Sequence, residues 1–154
     1  MAKADKVLFQ LTDEEKLIFH TFIAFPDFFS VDWFSEIPDF VPSKVISVIL
    51  LLDRQKWILP KGGEYYQWSK HFPREEIVSE IPDEEMSLYY RKSVDIFLQQ
   101  LPKNEDNTVM IANQCLLAGI ESPDLNIVFN AAFSEEKNHK ISSAIRQYDS
   151  LLEY

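Results

Sequence analysis

The chain has 154 residues, 46 % apolar and 14 % aromatic, which suits one solid folded domain or two small ones and excludes a disordered chain. Three glycines are too few for a turn-rich β-sandwich, so long helices are expected. The formal charge of -10 is unevenly spread: residues 1–72 carry 8 Lys/Arg against 10 Asp/Glu and residues 73–154 carry 7 against 15, which opposes broad binding to phosphate backbones but leaves room for a small basic face in the first half.

The first helix is expected from Thr12, where Thr12-Asp13-Glu14-Glu15 reads as a capping box. Leu17, Ile18, Phe22 and Phe25 fall on one stripe, and Pro26 ends the helix. A short second helix is expected over 30–37, capped by Ser30 and stopped by Pro38. The third opens at Pro42, a residue suited to the first helical position, with Val45, Ile46, Ile49, Leu50 and Leu52 as a broad buried face. Residues 57–59 and 65–68 have strand composition, and Pro60-Lys61-Gly62-Gly63-Glu64 supplies a hairpin turn between them.

After His71-Phe72-Pro73 the pattern is helical throughout. A short helix is expected over 73–80. A long one opens at Pro82, with Leu88, Tyr89, Val94, Phe97, Leu98 and Leu101 buried. Further helices are expected over 109–119, 122–133 and 138–152, forming short antiparallel pairs. The fold expected is therefore mostly α: a winged helix of three helices plus a β-hairpin wing over 7–70, followed over 71–154 by antiparallel helix pairs, the element of an α-solenoid, which the resemblance given below implies to be of tetratricopeptide-like type.

The single Cys115 excludes an internal disulfide and any cysteine-based zinc site, and points to a reducing, cytoplasmic setting. Residues 1–6 contain no apolar stretch, so no signal peptide is expected. The longest apolar run, 45–52, is broken by Ser47 and falls far below the ~18 residues of a membrane span, so no membrane contact is expected.

On the helix over 42–54, Lys44, Ser47 and Arg54 are the groups placed to reach DNA, with Lys56 and Lys61 flanking them. A groove-reading helix usually offers more Arg, Lys, Asn or Gln than this, and Asp53 sits among them. The aromatics from Phe9 to Phe40 outnumber what a small core holds, so Phe28, Phe29 and Trp33 are expected at a protein interface. A small-ligand pocket lined by Trp57, Tyr65, Trp68 and Tyr89 is a weaker reading. His20, His71 and His139 are too scattered to predict a metal site, and no cofactor is expected. The acidic pairs Glu75-Glu76, Asp83-Glu84-Glu85 and Glu135-Glu136 read as dipole-complementing first turns and not as general acids or bases. Cys115, with no histidine neighbour in sequence, reads as a buried small hydrophobe.

The run over residues 65–94 resembles the junction in STAND-class signalling ATPases and large transcriptional regulators between a winged helix and a tetratricopeptide-like array. His71, Arg74, Glu75, Ile81, Pro82, Leu88, Tyr89 and Tyr90 stand at the positions of that pattern, with Ser93 where it has alanine. No G-x-x-x-x-G-K-[ST] loop is present, so the ATPase domain itself is absent and the chain is either a segment of a larger regulator or a stand-alone relative. The resemblance implies that His71, Arg74 and Glu75 fix the junction, His71 by hydrogen bonding to Glu75 or a backbone carbonyl. It also implies a non-catalytic module whose winged helix docks a protein partner or neighbouring domain. The alternative is a transcription factor reading DNA with helix 42–54.

Overall fold

The computed structural model describes residues 7–35 and 37–154. The leader-free reading of residues 1–6, and Glu36 within the expected helix 30–37, lie outside the described residues. The fold is mostly α-helical with one small antiparallel sheet. The chain divides into two compact units within one long helix, at Met86/Ser87.

The first unit begins with α1 (Asp13–Ile23), which starts where the capping box placed it. Thr12 Oγ1 accepts from the Glu15 amide at 3.3 Å, and Glu15 Oε2 accepts from the Thr12 amide at 2.9 Å. That second bond is the main reason the Glu15 carboxyl lies below its usual range, with Lys44 adding a smaller effect. β1 (Phe28–Ser30) follows, then the single turn α2 (Asp32–Ser35). Ser30 is thus the end of a strand and not a helix cap. Three residues between Pro26 and the α2 turn carry no readable alternation, so β1 is invisible to pattern reading. α3 (Pro42–Arg54) has Pro42 at its first position as expected.

β2 (Ile58–Gly62) and β3 (Tyr65–Trp68) form the expected hairpin, and β1 adds to the far side of β3 to give the order β1-β3-β2. Pro60 fits because β2 is an edge strand and owes no amide to a second neighbour. Gly62 (φ +110°) and Gly63 (φ +56°) hold the turn in conformations that β-carbons disfavour. α4 (Arg74–Ser79) closes the unit together with the first residues of α5 (Asp83–Gln100).

The core of this unit is aromatic. Phe22 stacks on Phe29 at 4.8 Å and meets Phe34 edge-on at 4.4 Å, while Trp68 stacks on Phe72 at 4.1 Å. On α3 the buried residues are Val45, Val48, Ile49 and Leu52. Ile46 (55 % exposed) and Leu50 (50 %) are not in the core, contrary to expectation. Among the described residues, α1, α2 and β2 cover one face of α3.

The second unit contains the rest of α5, α6 (Glu105–Ala118), a 3-10 turn (Ser122–Asp124), α7 (Leu125–Lys137) and α8 (Ile141–Glu153). Asn104 caps α6 by accepting from the Asn107 amide at 2.9 Å, so that helix starts four residues before the expected position. α6 packs on α7 and α7 on α8. The connection over 138–140 is so short that it forces α7 and α8 antiparallel. Ala112, Cys115, Ala131, Ala132 and Ala144 are buried, and such small side chains let the helix axes approach. On α5, Tyr89, Val94 and Phe97 are buried as expected, whereas Leu88 and Leu98 are exposed and Leu101 is half-buried. Ser93, buried on α5, donates to the Tyr90 carbonyl at 2.7 Å and lies 3.0 Å from Gln114 Oε1.

Two helix ends use non-glycine residues in the left-handed region. Lys56 (φ 59°) follows α3, with its amide donating to the Asp53 carbonyl at 2.9 Å and the Trp57 amide to Leu52 at 3.0 Å. His139 (φ 61°) follows α7 with the same pair of bonds, to Glu136 at 3.0 Å and from Lys140 to Glu135 at 2.8 Å. Both are Schellman caps, where glycine is the usual occupant. Lys56 and His139 are therefore capping residues.

Candidate functional site

The outer face of α3 is built by the helical period. Positions 45, 48, 49 and 52 turn inward, which leaves Ser43, Ile46, Ser47, Leu50, Asp53 and Arg54 on the opposite side in solvent. The Ser47 hydroxyl donates to the Ser43 carbonyl at 3.0 Å, so it is engaged with its own helix. Lys44 lies on the flank and reaches Glu15 of α1 at 4.0 Å. Arg54 is exposed beside Asp53, and exposed Val41 precedes the helix. This surface is neutral to apolar, with half-exposed aliphatic side chains where a groove-reading helix would present cations.

Lys61, on β2, stands 4.6 Å from the Phe28 ring centroid in a cation–π contact. Of the five candidate DNA contacts, Lys44 reaches Glu15, Ser47 is bonded to its own helix and Lys61 lies against Phe28, whereas the side chains of Arg54 and Lys56 are exposed.

Phe29 and Trp33 are buried within the first unit, Phe29 against Phe22 and Trp33 5.6 Å from Phe25. Neither offers the exposed surface expected of it. Phe28 is half-buried, with Trp33 at 5.9 Å and Tyr65 at 6.1 Å. Of the expected pocket residues, Trp57 is buried between Phe19 (6.3 Å) and Phe72 (5.5 Å). Trp68 covers Phe72 and donates its Nε1 hydrogen to the Phe25 carbonyl at 2.9 Å. Tyr65 is exposed on β3, and Tyr89 is buried in the second unit. The Trp57 ring is core, and the Trp68 ring is half-buried against Phe72.

The junction residues divide differently from expectation. His71 is exposed, and its backbone amide donates to Ser69 Oγ at 3.2 Å. Glu75 is exposed in the first turn of α4. Arg74 does the fixing. Its guanidinium donates to the carbonyls of Ile23, Phe25 (2.8 Å) and Pro26 (3.1 Å), where α1 ends, and lies over the rings of Trp68 (5.2 Å) and Phe72 (5.6 Å). A cation at the C-terminal end of α1 also suits its dipole.

A cleft of about 430 Å³ in the first unit is lined by Leu8, Ile77 and Ile81 with Lys16, His20 and Glu80. His20 lies 3.6 Å from Glu85. Burial holds its pKa below the usual histidine value, and the Glu85 carboxylate offsets this only in part. In the second unit, Arg91 pairs with both oxygens of buried Asp124 (3.0 and 2.9 Å) and donates to the Gly119 carbonyl at 2.5 Å. Burial pushes the nearby Cys115 thiol up to about 12, so it is not an activated nucleophile. Glu135 and Glu136 lie in the last turn of α7, not a first turn. Glu135 is buried against Lys140 at 3.2 Å. Among the described residues no three His, Cys, Asp or Glu side chains gather as metal ligands, and no helix is long and apolar enough to cross a membrane.

No protein-family model matches the chain, and neither does any curated protein or solved structure.

Proposed function

We propose that the chain is a non-catalytic interaction module of a cytoplasmic signalling or transcriptional regulator, and that the outer face of α3 docks protein. What supports a winged-helix reading of the first unit is the order of three helices running into a β-hairpin, with α3 last before it. What supports a tetratricopeptide-like reading of the second is the run of α6 packed on α7 and α7 packed on α8. Together they fit the STAND-type junction that residues 65–94 resemble, with Arg74 as its anchor.

One observation carries the docking assignment. Ile46 and Leu50 sit half-exposed at the centre of the α3 face, with Arg54 as its single cation beside Asp53. Aliphatic surface of this kind gains by burial against protein, at about 25 cal/mol per Å², whereas it offers nothing to a phosphate backbone. The test is a benzoylphenylalanine photo-crosslinker placed at position 46 or 50 of the full chain in its native cells, with a control at exposed Glu64. Discrete protein adducts at 46 and 50 but not 64 are expected. DNA adducts at 46 and 50 would overturn the assignment in favour of groove reading.

A further inference from the structure

The α7–α8 hairpin carries a second unpartnered apolar surface, independent of α3. On α8 the buried side is Ala144 and Gln147. Ile141, Ile145, Tyr148 and Leu152 recur at i, i+4, i+7 and i+11, forming a separate stripe about a quarter-turn away. Three of the four are large aliphatics more than half exposed, Leu152 at 85 %. On α7, Phe129 and Phe133 stand one turn apart and are likewise more than half exposed. The two stripes adjoin across the helix seam. The Phe129 ring meets the Tyr148 ring edge-on at 6.2 Å, and the Tyr148 hydroxyl donates to Glu136 Oε2 at 3.1 Å. A contiguous apolar strip along two packed helices is uncommon on a surface with no partner.

We infer that this seam is a docking groove for an amphipathic helix of a partner protein bearing Lys or Arg beside its apolar stripe. The span from Ile141 to Leu152 is about 16 Å of helix, room for three turns of a ligand helix with anchors at i, i+4 and i+7. Charge selects the occupant. Glu136 borders the groove on α7, and Asp149 and Glu153 follow Tyr148 and Leu152 on α8. Of the hairpin's cations, Lys140 pairs with Glu135 at 3.2 Å and Arg146 donates to Asn113 at 3.1 Å, while Lys137, in the last turn of α7, lines a cleft together with Phe133.

Three fluorescein-labelled 18-residue peptides test this on the full chain by anisotropy: a leucine-striped helix flanked by Lys, the same helix flanked by Glu, and a Lys-rich scramble lacking the stripe. The Lys-flanked helix is expected to bind at least tenfold tighter than either control. Ile145→Asp is expected to lower that affinity at least tenfold, with Leu152→Asp near the helix end as the substitute if circular dichroism shows Ile145→Asp unfolded. The Asp149→Lys, Glu153→Lys double variant should reverse the preference between Lys and Glu flanks. Equal binding of striped and scrambled peptides, or binding indifferent to both Asp variants, overturns the inference. Wild-type dimerisation abolished by Ile145→Asp overturns it in favour of a second copy.

Discussion

Replacing Arg74 with alanine removes three donors from the end of α1. Two of the bonds, to Phe25 at 2.8 Å and Pro26 at 3.1 Å, have ordinary lengths, and each is a charge-assisted bond worth about 1.5 kcal/mol or more. The third goes to Ile23, and the contacts with Trp68 and Phe72 add about 0.5–1 kcal/mol at a half-buried site. The expected loss is about 3–4 kcal/mol of first-unit stability, allowing for non-additivity among bonds sharing one guanidinium. All three tryptophans, Trp33, Trp57 and Trp68, lie in the first unit, so tryptophan emission during urea unfolding reports on it selectively. With a slope of about 1–3 kcal/mol per molar, the midpoint should fall by about 1–4 M. Arg74→Lys retains a point charge but not the fork or the ring contact, and should lose roughly half as much. A midpoint within 0.3 M (about 0.3–0.9 kcal/mol) of the parent for Arg74→Ala would refute the anchoring role.

In the second unit, Arg91→Ala strands the buried Asp124 carboxylate and should cost roughly 3–5 kcal/mol. Far-UV circular dichroism should then show an early transition with no accompanying change in tryptophan emission. His20 has a lowered pKa in the fold, so its contribution to stability is present above the unfolded value near 6.5 and is lost as pH falls through the lower folded value. Urea midpoints of the first unit should therefore decline between pH 7 and pH 5.5 more steeply in the parent chain than in His20→Gln, and parallel declines would contradict this. Lys56→Gly and His139→Gly each relieve a left-handed β-carbon and should stabilise by about 0.5–1 kcal/mol in thermal melts.

Features written in neighbouring residues were legible in the sequence. The Thr12/Glu15 capping box, Pro42 opening α3 and the Gly62–Gly63 turn are each local chemistry, and each stands where it was read. Features decided by partners distant in sequence were not. β1 exists because β3 offers it a ladder, and three residues cannot announce that alone. Ile46, Leu50, Leu88 and Leu98 fit a helical apolar pattern, yet what packs on each helix decides which part of a broad apolar face is covered. Lys56 and His139 end helices without the glycine that signals such an end. Arg74 was picked out as a junction residue, but its three carbonyl partners lie about fifty positions earlier in the chain. For the same reason the α3 face could be placed in sequence but its exposed aliphatics could not.

The outer face of α3 is proposed to meet protein and not DNA. The most direct test is a titration of the full chain into labelled random-sequence and genomic duplex DNA at 50 and 200 mM salt, alongside a Lys44→Glu, Arg54→Glu variant. The prediction is binding no tighter than the non-specific range of about 10⁻⁴–10⁻⁶ M, indistinguishable between the two proteins. Tighter, steeply salt-dependent binding that the double variant abolishes would contradict it.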